Sequence, residues 1–385
     1  MTIRRLAVSA GARRPAPARP RSNPSPRAFA RGFFVPGLAG HCDRRRLWSQ
    51  MAPSAFDRRS AVKRLLQLAC LASLSVLPAL APAQSFPSRP VTMVVPFAAG
   101  GPVDTVARIL AEPMRKSLGQ AIIVESTTGA GGSLGVGRVA RAAPDGYTLS
   151  IGHWSTHVVN GAVYPLNYDL LKDLEPVAMI GGNPMIIVSK PGVEAKDLKA
   201  FIAWVKANQA KVNVGTAGAG SSTHIAGIYF QNEIGAKLQF IPYKGTGPAM
   251  QDLMGGQIDL MVDQLSNSIP QVKAGRIQGY AITAKERSAA APDMPTVDEA
   301  GLPGLHISIW YGIWAPKGTP REAVVKLNQA VKDALADADT RKRLGDLGME
   351  IVPLERQAPE ALGAHQKAEI EKWWPIIKAA NIKLN

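Results

Sequence analysis

From residue 90 onward, apolar positions fall into short continuous runs and longer stripes of helical spacing, which alternate along the chain. Val91-Thr92-Met93-Val94-Val95 has the length and composition of a buried strand. A Gly-rich turn, Pro96-Phe97-Ala98-Ala99-Gly100-Gly101, follows it. Val103, Val106, Ala107, Leu110 and Met114 then recur on one face of a helix, with Pro102 suited to its first turn, where a missing N–H costs nothing. The unit returns. Ile122-Ile123-Val124 leads to Gly129-Ala130-Gly131-Gly132 and a helix from about Ser133. Tyr147 to Ile151 leads into what reads as a polar loop, His153 to His157. Val212-Asn213-Val214 precedes Gly215 to Thr223 and a helix through Ile225, Ile228 and Tyr229. Phe240 to Tyr243 precedes Gly245-Thr246-Gly247-Pro248 and a helix through Met250, Leu253 and Met254, and Ile258 to Val262 ends at Asp263. Strands alternating with helices predict mainly parallel sheets, with ligands outside the carboxyl ends of the strands.

Four Gly-rich turns thus deliver the chain to helix N-termini, where free backbone N–H groups and the positive end of the helix dipole favour anions. Ser133, Ser155-Thr156 and Ser221-Ser222-Thr223 add hydroxyl donors. Such turns also carry Gly and Ser for purely structural reasons, but several in one chain point to a carboxylate cradle. Asp104 suits the stabilisation of its own helix end. Asp263 suits either a ligand amino group or the capping of the next helix at Asn267 or Ser268. Lys244 is placed to pair with a carboxylate or to stand in solvent. His153 and His157 lack a third metal ligand in the sequence and suit hydrogen bonding instead; no metal or cofactor is expected.

Catalytic readings find little support. Gly131-Gly132-Ser133-Leu134-Gly135 fits G-x-S-x-G, yet a loop separates Ser133 from the preceding strand, where an elbow needs the serine directly after it. A hydrolase would draw its partner from His224, His306 or His365. No Walker A run, no H-E-x-x-H and no G-x-G-x-x-G opening a helix occurs.

Charge changes the picture only when located. The formal net charge of +16 suggests a nucleic-acid binder, but residues 1–83 hold 15 of the 45 basic residues and only Asp43 and Asp57 as acids. The remainder carries a net charge of +3, without a footprint for a phosphate backbone. Residues 1–50 are rich in Arg, Pro and Ala and predict disorder. Arg58, Arg59, Lys63 and Arg64 precede an interrupted apolar stretch, Leu65 to Leu80, and then Ala81-Pro82-Ala83, which predicts an export signal cleaved before Gln84. The route is Sec or twin-arginine, and Met51 is a possible start. Cys42 and Cys70 both lie in this leader, so the mature chain has no thiol chemistry. About 300 residues remain, enough for two α/β lobes.

Six segments in order carry a resemblance. They are Pro96 to Arg108, Gly129 to Gly132, Pro144-Asp145-Gly146-Tyr147-Thr148-Leu149, Pro242-Tyr243-Lys244-Gly245, Asp252 to Asp259 and Ala315 to Pro320. From about Phe86 to its end the chain resembles the Bug/TctC family, the extracytoplasmic receptors of tripartite tricarboxylate transporters. The resemblance implies two Rossmann-like α/β lobes with a hinge, of the periplasmic-binding-protein type II architecture. Lobe 1 would comprise 84–187 and 308–385, and lobe 2 would comprise 188–307. It implies a non-catalytic periplasmic receptor, expected as a monomer, that closes on a dicarboxylate, tricarboxylate, amino acid or aromatic acid and presents it to a membrane permease. Carried over by position, the contacts are Phe97, Ala99, Gly100 and Gly101, then Ser155 and Thr156, Thr216, Ser222, Thr223 and His224, and Asp263. Ser126-Thr127-Thr128 departs from the Asn-Arg-Pro usual before the second Gly-rich loop. Trp154, beside bulky His153, is expected to line the cleft with Phe97 and favour an aromatic acid by stacking. Two other roles fit a two-lobed chain: a receptor feeding a sensor, and the effector domain of a regulator. The second needs a helix-turn-helix upstream, where the export signal stands instead.

Overall fold

The computed structural model describes residues 85–379, so the export signal expected over 1–83 lies outside the described residues. Strands β1 (Val91–Val95), β2 (Ile122–Ser126) and β3 (Thr148–His153) are parallel, with the helices Pro102–Leu118 and Ser133–Ala140 between them. Val91, Met93, Val94 and Val95 are fully buried, which is why β1 reads as an unbroken apolar run rather than an alternating one. The first helix starts at Gly101 with Pro102 in its first turn. It stops at Gly119, which takes φ 69° and donates its N–H to the Arg115 carbonyl. Its predicted apolar face, Val103 to Met114, is the face that is buried.

A second parallel group holds β5 (Asn213–Thr216), β6 (Gln239–Pro242) and β7 (Leu260–Gln264). The helices Ser222–Glu233 and Thr246–Met254 connect these strands. The two groups are joined by β4 (Leu174–Ser189), sixteen residues long. From Leu174 to Pro184 it pairs with β9 (Ser308–Pro316), and Gly181 and Gly182 also pair with β10 (Glu350–Ile351). From Met185 it pairs with β7 and with β8 (Gln278–Ile282). The strand exchanges partners between Pro184 and Met185.

Every pairing of β4 and β9 is antiparallel. The expectation of mainly parallel sheets thus holds inside each βαβ group and fails at the crossing strands, which must run out to the second lobe and back. Just after β8, Thr283 ties both crossings. Its hydroxyl donates to the Ile307 carbonyl at 2.7 Å and accepts the Met185 N–H at 3.0 Å. The C-terminal helix Pro359–Ala379 returns to lobe 1, where Gln366 Nε2 donates to the His157 carbonyl and Trp374 Nε1 to that of Val158.

Candidate functional site

The loop after β1 is held from both sides. Phe97 stacks on His153, with ring centroids 5.3 Å apart, while Ala98 N donates across the interlobe gap to the Lys244 carbonyl at 3.0 Å. Gly100, at φ 83°, donates its N–H to Asp104 Oδ2, which also accepts from Arg108 Nε. Asp104 therefore fixes the loop as well as the helix start. Ala99 and Gly100 face a small interlobe cavity of about 330 Å³ with Gly247 and Pro248, and a Cβ on Gly101 would stand 3.2 Å from Thr246 Oγ1.

After β2 the chain takes four consecutive positive φ values, from Gly129 to Gly132, with Ala130 the one non-glycine residue of that kind among the described residues. This turn delivers Ser133 to the head of its helix. Ser133 is buried, its carbonyl accepts from Tyr168 OH, and no hydrogen bond joins its hydroxyl to a histidine among the described residues. The hydrolase arrangement is not assembled.

The segment His153 to His157 is not a loop. Ser155–Val159 forms a π-helical turn that runs straight into a short helix, Asn160–Val163. Its polar groups close on one another: Thr156 Oγ1 accepts the His153 N–H at 3.0 Å and stands 2.9 Å from His157 Nδ1, while Ser155 Oγ lies 3.2 Å from His153 Nδ1. Burial pushes the His153 imidazole down to about 3 and that of His157 well below its usual value, so both are neutral. His157 stacks on Trp314 with centroids 3.5 Å apart. Trp154 turns the other way. It is buried, packs edge-on against Trp373 of the C-terminal helix at 5.0 Å, and lines a separate cavity with Trp310. The expected pairing of Trp154 with Phe97 is corrected: neighbouring residues at the head of a helical turn point in different directions, and His153 takes the place beside Phe97.

In lobe 2, Ser221 caps the helix by accepting from His224 N, and Thr223 Oγ1 accepts the Ala217 N–H at 2.8 Å. Thr216 Oγ1 accepts from Gly218 N at 3.4 Å, and Ser222 Oγ from Gln264 Nε2 at 3.4 Å. The N–H of Gly220 is accepted by His224 Nδ1, and His224 and Thr216 open on a cavity of about 300 Å³ on lobe 2. Asp263 is fully buried; its Oδ2 accepts from Asn267 Nδ2 at 2.6 Å and from Ser268 Oγ at 2.8 Å. Its Oδ1 has no partner among the described residues, and burial raises its pKa to about 6. Tyr311 of β9 hydrogen-bonds Gln264 and sits edge-on to His153, with ring centroids 5.6 Å apart.

The cleft itself is a cavity of about 520 Å³. Lobe 1 supplies Phe97, the turn Gly129 to Gly132 and Tyr164; lobe 2 supplies Ala217 to Ala219, Pro242 to Lys244 and Pro248. Tyr164 OH donates across it to the Ala219 carbonyl at 2.6 Å, so the lobes meet on this side as well as at Ala98. Of the candidate residues, Phe97 stands in this wall. Ala99 and Gly100 line the separate 330 Å³ cavity, Thr216 and His224 the one on lobe 2, and the side chains of Ser133, Ser155, Thr156, Ser222, Thr223 and Asp263 are buried. Neither Tyr164 nor Tyr243 is among the contacts expected from the sequence. Tyr243 lies in a motif already singled out, but Tyr164 follows an unforeseen helix and carries no local signal.

Two α/β lobes, two crossing strands and a cavity walled by loops from both define a solute-binding protein. The chain belongs to the family whose model is described as "Tripartite tricarboxylate transporter family receptor", which matches residues 106–382; its members are substrate-binding receptors rather than enzymes. The UPF0065 protein in the TAR-I ttuE-ttuC' intergenic region of Agrobacterium vitis is 44% identical over 315 residues, covering 81% of this chain and 91% of the relative. Periplasmic binding protein BugD is similar at 41% identity and a TM-score of 0.75, covering 77% of this chain and 99% of BugD. MatC from Rhodopseudomonas palustris, solved with bound malate, is 43% identical with a TM-score of 0.73 and is covered over 100% of its length by 76% of this chain. No helix among the described residues is long and apolar enough to cross a membrane.

Proposed function

We propose that the chain is exported, cleaved near Ala83-Gln84, and works in the periplasm as a monomeric receptor. It captures a small carboxylate between its lobes and hands it to the membrane permease of a tripartite tricarboxylate-type transporter. The observation that carries this reading is the meeting of glycine-rich turns from both lobes around one cavity, bridged by Tyr164–Ala219 and Ala98–Lys244. Turns of that kind bring backbone N–H groups close to an anion at little steric cost. MatC, solved with malate, supports carboxylates as the ligand class.

In this reading the contacts come from Phe97, the backbone of Ala99 to Gly101, the turn Gly129 to Gly132 and the loop after Thr216. The hydroxyls of Ser155, Thr156, Ser222 and Thr223, with Asp263, hold those loops in shape from behind. Lobes bounded at 84–187 with 308–385, and at 188–307, move about the crossing strands. A ligand that touches both lobes stabilises the closed form by the difference in its affinity for the two states. Native mass spectrometry of the protein purified from the periplasm of an expressing cell tests this: a co-purifying small acid that raises the melting temperature is expected. A chain retained in the cytoplasm, or one that no carboxylate stabilises, refutes it.

A further inference from the structure

Apart from the interlobe cleft, we infer that the chain carries a second ligand site, where the crossing strands meet the C-terminal helix, for a small zwitterion of the apolar α-amino acid class. A cavity of about 430 Å³ lies there, walled by β4, β9, β10 and the helix Pro359–Ala379. It shares no residue with the cleft. Glu350, Arg356, Glu369 and Lys372 line it, two acids and two bases. None of the four forms a salt bridge among the described residues, although Lys367 and Glu371 pair on the same helix. They stand close together: the charges of Glu369, Arg356 and Lys372 all reach the His365 imidazole, which burial holds below its usual pKa. Charges of both signs that share one wall without pairing leave an anion site and a cation site open side by side.

Each half of a zwitterion has partners in place. Glu369 Oε2 accepts from Trp310 Nε1 at 3.4 Å and from Trp373 Nε1 at 3.1 Å, while its Oε1 has no donor among the described residues. The two indoles thus fix a carboxylate that keeps one oxygen for an ammonium, and indole rings favour a cation beside them. The Arg356 guanidinium makes one weak contact, Nη2 to Met179 Sδ at 3.9 Å, and Lys372 Nζ stands 5.0 Å from the centre of the Trp373 ring. Both side chains are exposed and free to take a carboxylate. Trp154 adds a buried indole N–H in the same wall that has no acceptor among the described residues. Trp154, Met179, Ile307 and Ile351 supply apolar surface, and the volume suits an aromatic amino acid. A ligand of one sign would leave two of the four charges unmatched.

Isothermal titration with L-phenylalanine, phenethylamine and phenylpropanoate is the test. Phenethylamine keeps the ring and ammonium without the carboxylate, and phenylpropanoate keeps the ring and carboxylate without the ammonium. Each is titrated into the parent and into Gly131→Ala, which disturbs the interlobe cleft, and the second site is read as the binding that Gly131→Ala leaves in place. There phenylalanine is expected to bind at least about tenfold more tightly than either analogue. Glu369→Gln removes the charge and keeps an acceptor for the two indoles. It is expected to weaken phenylalanine and phenethylamine about tenfold while changing phenylpropanoate less than about twofold. Arg356→Gln with Lys372→Gln changes two exposed side chains and is expected to weaken phenylalanine and phenylpropanoate instead. Should Glu369→Gln fail to fold, this pair carries the comparison alone. Absence of phenylalanine binding, equal binding of phenylalanine and phenylpropanoate, or binding abolished by Gly131→Ala and untouched by Glu369→Gln overturns the inference. Each of these outcomes leaves the receptor reading standing.

Discussion

At Gly131 the backbone takes φ 58°, and a Cβ there would stand 2.5 Å from the Ala219 carbonyl oxygen on the other lobe. Alanine at this position carries backbone strain of about 1 kcal/mol, crowds Tyr164, and meets the Ala219 carbonyl of the other lobe. Gly131→Ala is expected to weaken ligand binding at least about tenfold and to enlarge the radius of gyration of the ligand-saturated protein in small-angle scattering. Asp263 is a different kind of residue. Burial raises its carboxyl from 3.8 to about 6, so between these values the folded chain holds a proton that the unfolded chain has lost. Its contribution is fully favourable below pH 4 and is lost as pH rises to about 6, at a cost on the order of 3 kcal/mol at neutral pH. Asp263→Asn is expected to gain stability over the parent across that window, read by urea denaturation at pH 4, 5, 6 and 7. His153, whose imidazole is also shifted by burial, is common to both proteins and cancels in the difference. The sequence placed Asp263 at a strand end, with a cap and a ligand contact both open; only burial and the bonds to Asn267 and Ser268 give it the bracing role.

Strands and helices were legible where their causes are local. β1 needed only its apolar run, and the first helix only its stripe and Pro102. The π-helical turn Ser155–Val159 had no such signal, because it is held by residues far along the chain: Trp314 stacks on His157 and Gln366 bonds its carbonyl. The crossing strands depend on distant partners too, and Thr283 is their shared bond. Thr283→Val removes the donor to Ile307 and leaves buried groups unpaired, so a loss of about 1–3 kcal/mol is expected in chemical denaturation.

For the molecule as a whole, the proposed receptor function makes closure and binding one equilibrium. Tyr164 meets Ala219 only when the lobes are together, so Tyr164→Phe is expected to raise Kd about two- to tenfold while leaving the unfolding midpoint of the ligand-free protein unchanged. Ligand at a hundredfold excess over Kd is expected to add about 2.7 kcal/mol to the free energy of unfolding, measured in urea with and without ligand. Electrostatics also separates at this scale: the surplus of basic residues lies before residue 84, and the two lobes that form the cleft are close to neutral.

By itself the sequence determined the export-signal pattern, the alternation of strand, glycine turn and helix, and the turns from which a cleft could be made. Those features rest on periodicity, charge and backbone freedom over a few residues. Tertiary structure alone decided that the crossing strands run antiparallel, that Trp154 turns under the C-terminal helix while His153 supports Phe97, and that Tyr164 reaches Ala219 across the cleft. Each of these depends on contacts between residues far apart in the chain, and no local pattern encodes which partner a side chain will meet.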